Sequence, residues 1–220
     1  MANVTVLNNL IVPAPPALPV TPTTYARQYH DQFNNVLRLY FQQLSGALQA
    51  YLNEGGGRFL SVPCGSWFSN QAVTFSSNVA TVVTLNNTDA NATIDTTLSN
   101  GSVLVTYPGI YNYQFSAQLT NSDAQAHDVD IWIRVDGNNV YESASQITVP
   151  DKHGSTNGAV IAAWNFFVAC QANSVIDLVM ASNHPDISLA YFPASNSPFV
   201  RPSIPSLITT VTFVSRLQSG

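Results

Sequence analysis

After the turn at Pro108-Gly109, from Tyr111 to Leu119, apolar and polar side chains alternate without a break. Tyr111, Tyr113, Phe115, Ala117 and Leu119 fall on one side, and Asn112, Gln114, Ser116 and Gln118 on the other. A period of two belongs to a pleated strand, whose successive side chains point to opposite faces. One face is then core and the other polar, as in an antiparallel sheet. The rest of the chain after residue 60 repeats the theme. Strands are predicted at Ser61–Phe68, Val79–Leu85, Ser102–Tyr107, Ile110–Leu119, Val129–Val135, Val140–Thr148, Ala159–Cys170, Ser174–Ala181, Ile187–Phe192 and Leu207–Val214. Between them lie Asn86-Asn87, Asn100-Gly101, Pro108-Gly109, Asp136-Gly137-Asn138, Asn157-Gly158 and Asn183-His184-Pro185, residues that suit turns. Some ten short strands at this rhythm predict a mainly β, ten-stranded jelly-roll sandwich over residues 61–220. Its core is expected to centre on Tyr111, Tyr113, Phe115, Ile131, Ile133, Trp164 and Phe166.

Two strands carry more than a core face. In one, Val129, Ile131, Ile133 and Val135 alternate with Asp130, Trp132 and Arg134, and a tryptophan flanked by charges suits a subunit contact. In the other, Val160, Trp164, Phe166 and Val168 share one face while Ile161, Ala163, Phe167 and Ala169 share the opposite one. A strand apolar on both sides of a two-layer sandwich needs a further surface over it, and a neighbouring subunit is the expected cover. Trp132, Arg134, Ile161 and Phe167 are therefore the candidate contacts between heads.

Upstream the period changes. Phe33, Leu37, Tyr40, Leu44, Ala47 and Tyr51 recur at spacings of four and three, which predicts a helix over residues 25–54 with a heptad-like seam. Phe41 and Leu48 widen the stripe. Thr23 or Thr24 is placed to cap the helix, and Gly55-Gly56-Gly57 to end it. Such a helix either packs on its own sandwich or joins copies of itself, and the clean seam favours the second. Residues 1–24 form an arm with prolines at 13, 15, 16, 19 and 22, around which sit Val4, Val6, Leu7, Leu10, Ile11, Val12 and Leu18. Proline at this density favours extended chain. Disordered tails are poor in aliphatic residues, so the arm is expected to dock on another protein.

Composition narrows the function classes. Charged residues make up 9% of the chain while the hydrophobic fraction is 45%, which argues for a packed body with Asn, Ser, Thr and Gln as its polar surface. The net charge is −5 with only 7 Lys+Arg, which disfavours nucleic acid and acidic membrane surfaces as partners. No apolar run is long enough to span a bilayer, and no basic stretch followed by an apolar core marks a secretory signal. The two cysteines, Cys64 and Cys170, are expected to be free thiols.

Catalytic motifs are missing: no G-x-S-x-G, phosphate loop, H-E-x-x-H or C-x-x-C occurs. His127 with Asp130, and Asp151 with His153, have acid–base spacing, but each sits in or beside a predicted turn where polar residues belong. Asp123, Asp128 and Asp130 are candidate calcium ligands, with a solvated acidic turn as the plainer reading. No enzyme activity and no cofactor are expected.

The run Gly109-x-Tyr111-x-Tyr113-x-Phe115, followed by Asp130-Ile131-Trp132-Ile133-Arg134-Val135-Asp136-Gly137, resembles the signature of the C1q and tumour-necrosis-factor-like jelly rolls. That resemblance implies a tight homotrimer formed through one sheet face. The helix Phe33–Leu44 ahead of such a head is similar to small virion proteins of tailed marine bacteriophages. Together these imply a homotrimeric structural protein on the virion surface, made in the host cytoplasm and attached to other virion proteins by its arm. A capsid decoration or head fibre is the first expectation. A tail-associated adhesin contacting host surface glycans is the second, and a secreted binding ligand is more remote.

Overall fold

The computed structural model describes residues 16–18, 20, 23–52, 62–89 and 95–217, without the side chains of residues 50–52. The chain divides into two compact units, Met1–Ser61 and Val62–Gly220.

In the first unit the helix α1 spans Arg27–Leu52. It starts later than the threonines allow. The carbonyl of Ala26 accepts the first helical bonds, from the amides of Tyr29 and His30, so Thr23 and Thr24 lie too far upstream to cap it. Phe33, Leu37, Tyr40, Leu44 and Ala47 are half-buried along one stripe, joined by Tyr29 and Val36. Tyr29 stacks on Phe33 with ring centroids 6.2 Å apart. Phe41 and Leu48 are exposed, and so is Leu18 of the arm. The Tyr51 side chain, the three-glycine stop and the arm residues Val4, Val6, Leu7, Leu10, Ile11 and Val12 lie outside the described residues.

The second unit is a two-sheet antiparallel jelly roll, and the chain crosses repeatedly between its sheets. The strands are β1 (Cys64–Ser69), β2 (Val73–Thr74), β3 (Thr81–Val83), β4 (Asn87–Thr88), β5 (Thr96–Ser99), β6 (Ser102–Val105) and β7 (Gly109–Asn121). They continue as β8 (His127–Val135), β9 (Asn138–Asn139), β10 (Ser145–Val149), β11 (Gly158–Cys170), β12 (Ser174–Ser182), β13 (Ile187–Leu189) and β14 (Leu207–Ser215). The first sheet runs β2-β13-β7-β14-β1-β4, with β11 also on β7. The second runs β10-β8-β12-β6-β5, with β3 on β12 and β9 on β8.

The long alternating run is the spine of the first sheet. One edge of β7 is occupied along its whole length by β11, from Gly109↔Cys170 to Asn121↔Gly158. The other edge is shared end to end by β14 and β13. The inward residues of β7 fill the space between the sheets: Tyr111, Tyr113, Phe115, Ala117 and Leu119 are all buried, opposite Ile131 and Ile133 of β8 in the same cluster. Each buried aromatic of this kind contributes roughly 2–3 kcal/mol. Trp164 and Phe166 are only partly buried and pack on the rim of that cluster, where Trp164 meets Phe115 edge-on at 5.0 Å.

Two hairpins show why the turn residues were legible. Asn100 and Gly101 both have positive φ, 52° and 85°, between paired Ser99 and Ser102. Asp136 and Gly137 repeat this with φ of 52° and 79° between Val135 and Asn138. Positive φ at both central residues is the two-residue turn whose twist suits a hairpin, and Asn-Gly or Asp-Gly adopts it at least cost. Ten strands were expected and fourteen are present among the described residues. The four extra ones, β2, β4, β5 and β9, are two to four residues long. The predicted strand Val140–Thr148 is corrected to Ser145–Val149. Its first part is a turn in which the Ser143 hydroxyl donates to the carbonyl of Val140.

Candidate functional site

No deep cavity lined by convergent reactive groups marks the described part of the head. What it offers are the two outward sheet faces and one cluster of polar side chains at a loop junction.

The outward face of the first sheet carries Ala159, Ile161, Ala163, Asn165, Phe167 and Ala169 from β11. Beside them lie Ile110, Asn112, Gln114, Ser116 and Gln118 from β7, then Ile208, Thr210, Thr212 and Val214 from β14, and Cys64, Ser66 and Phe68 from β1. No strand of this sheet contains a charged residue. Its amides bond to one another: Asn165 Nδ2 donates to Asn112 Oδ1 at 3.3 Å. Its apolar side chains have no such cover. Ile161 is 60% exposed and Phe167 65%. Among the described residues no strand pairs with the free edge of β11. A thirteen-residue edge without proline or charge invites another chain.

The outward face of the second sheet is finished within the chain. Trp132 lies across from Val179, which Val82 flanks on its other side, and Val179 is fully buried although it points outward. The Trp132 Nε1–H donates to Asn139 Oδ1 at 2.9 Å, and Arg134 Nε donates to the same oxygen at 3.0 Å. The Arg134 guanidinium sits 6.0 Å from the Trp132 ring. Asp128, Asp130 and Asp177 share this face. The four expected head contacts therefore do not make one surface. Ile161 and Phe167 stand on the first sheet, and Trp132 and Arg134 on the second, where each is already engaged.

The expected calcium set also separates. Asp128 accepts from Thr148 Oγ1 at 2.6 Å and Asp130 from Gln146 Nε2 at 3.0 Å. Both border a shallow polar cavity of about 280 Å³ with Asn78 and Asn183. Asp123 instead faces two histidines. His127 Nε2 lies 2.8 Å from its Oδ2, and the His127 ring stacks on His184 at 3.9 Å with the planes 1° apart. The hydrogen bond from His127, more than any other influence, holds the Asp123 carboxyl below the usual carboxylate range. His127 thus takes Asp123 as its partner and not Asp130, so that acid–base pair is not formed. His127 and His184 stand 57 positions apart in the chain, and no local spacing signals their meeting.

Neither cysteine forms a disulfide among the described residues. Burial pushes the Cys170 thiol up to about 12, while Cys64 sits half-buried on the outward face of the first sheet. No described helix is long and apolar enough to cross a membrane.

No known protein family and no curated protein matches the chain. Among solved structures, the globular domain of zebrafish complement 1qA protein is similar at 11% sequence identity and a TM-score of 0.40, covering 71% of this chain and 99% of that one. The jelly-roll assignment follows from the strand order of the head itself.

Proposed function

We propose that this protein is a non-enzymatic, homotrimeric structural protein of a bacteriophage virion. It is displayed on the particle surface as a capsid decoration or head fibre and fastened there by its N-terminal arm. The observation that carries the self-association is the uncharged outward face of the first sheet, with Ile161 and Phe167 open beside an unpaired strand edge. The stripe along α1 supplies a second contact of the same kind, from Phe33 to Ala47. The placement on a particle rests on the apolar, proline-rich arm and on the likeness of the helix to phage virion proteins. Three identical heads on one base would multiply weak contacts.

Two measurements test the reading. Light scattering of the full-length chain should give three times the 23.7 kDa of one copy. A stable monomer would sink the proposal. Removing residues 1–24 should leave that mass ratio intact and abolish incorporation into particles. Incorporation of the truncated chain would place the anchor elsewhere, and labelling at the tail tip would favour the adhesin.

A further inference from the structure

The geometry points to a divalent transition-metal site of the Zn²⁺ type formed by Asp123, His127 and His184. A ring nitrogen from each histidine and a carboxylate oxygen from Asp123 lie within 4.8 Å of one another. Two imidazoles and one carboxylate form a donor set suited to zinc, whereas calcium and magnesium take oxygen ligands. Zinc bonds of about 2.0–2.1 Å place tetrahedral donors roughly 3.4 Å apart, so side-chain torsions can close the gap.

The backbone around the three is held from several sides. Asn121 is fully buried; its Oδ1 accepts the Asp123 amide at 2.9 Å and its Nδ2 donates to the Gln125 carbonyl at 2.7 Å. The Lys152 amide donates to the Asp123 carbonyl at 2.9 Å. On the second loop, Ser182 Oγ accepts the His184 amide at 3.1 Å and donates to the His184 carbonyl at 2.8 Å. Asp186 then ties the two loops together. Its Oδ2 lies 3.3 Å from His184 Nδ1, and its Oδ1 accepts from Ser122 Oγ at 3.0 Å. A carboxylate behind a histidine is the arrangement that orients ligating imidazoles.

The parallel rings tell which side chain moves. Lone pairs of stacked imidazoles lie in parallel planes and do not meet at one point. The His127 side chain is 11% exposed and bonded to Asp123, whereas that of His184 is 34% exposed. His184 therefore swings on binding and the stack opens. The exposed side of the site leaves a position for water.

The test uses the full chain freed of any histidine tag. Calorimetry and elemental analysis after dialysis should show one Zn²⁺ per chain, with Ca²⁺ in excess failing to displace it. His127→Asn and His184→Asn should each abolish stoichiometric uptake, Asp186→Asn should weaken it about tenfold, and His153→Ala should leave it unchanged. Imidazole NMR of the wild type reads the loss of the stack directly, whatever the folding of the variants. No uptake, full uptake by His127→Asn with His184→Asn, or equal competition by Ca²⁺ would overturn the assignment.

Discussion

The outward faces of the two sheets share a backbone pattern and differ in charge. The second sheet places Asp128, Asp130, Arg134 and Asp177 on its strands, and the first has no charged strand residue at all. On the second face Trp132 is turned to account locally: it lies across from the buried Val179, and its N–H has a partner in Asn139. On the first face Phe167 stands opposite Asn112 and is largely exposed. An exposed aromatic is a sign of an interface only when its own chain gives it no work. Here that condition separates Phe167 from Trp132.

The sharpest way to break this comparison is to charge one face and discharge the other. Ile161→Asp with Phe167→Asp should reduce the particle seen by light scattering to a single chain. Asp130→Asn with Arg134→Gln should leave the assembly intact. Equal effects from both pairs would erase the distinction. On the helix, Leu37→Asp with Leu44→Asp should loosen the assembly, and an unchanged mass would show that the head alone suffices.

Next in size is a change at the start of β11. A Cβ at Gly158 would sit 1.9 Å from the Pro150 carbonyl oxygen and 2.7 Å from that of Asp151. Both are backbone atoms that cannot turn aside. Gly158→Ala should cost about 1–3 kcal/mol in denaturant unfolding and shift the register of the strand that bears Ile161 and Phe167.

The interior makes a pH prediction. Burial pushes the Tyr113 hydroxyl well above its ordinary range, opposed by a weak hydrogen bond with Thr209, and raises the Cys170 thiol in the same way. In the unfolded chain these groups ionise at about 10 and 8.5. The folded state keeps both protons, so stability is full below about pH 8 and falls as pH rises through those values. Melting temperatures from about pH 7 to 11 should show the decline, and Tyr113→Phe should remove its upper part.

The smallest effect expected is in thiol labelling. Cys170 should resist a thiol reagent until the chain unfolds. Cys64, on the uncharged face, should be slow in the assembly and faster in the Ile161→Asp, Phe167→Asp chain. Equal labelling in both would mean that the face is not covered where Cys64 stands.

Much of this was legible in the chain. The alternation in β7 fixed which of its residues face inward, and the two-faced character of β11 was visible from Ile161 and Phe167. Alternation gives the parity of a strand but not its sheet, so it named Trp132 and Phe167 alike as contacts between heads without showing that they stand on different sheets. The short strands β2, β4, β5 and β9 hold too few residues to show a period. The Asp123–His127–His184 cluster was hidden because His184, just after β12, reaches His127, at the start of β8, only through the pairing of those two strands.

The association proposed for the uncharged face of the first sheet, built from amides and hydrocarbon, has a consequence for the surroundings in which it would work. Coulombic contacts weaken as ions shorten the Debye length, to about 8 Å at physiological strength and 3 Å at molar salt. Contacts without charge have nothing to screen, and hydrophobic ones are if anything tightened by strongly hydrated ions. The joined heads should therefore hold equally well in fresh water and in brine.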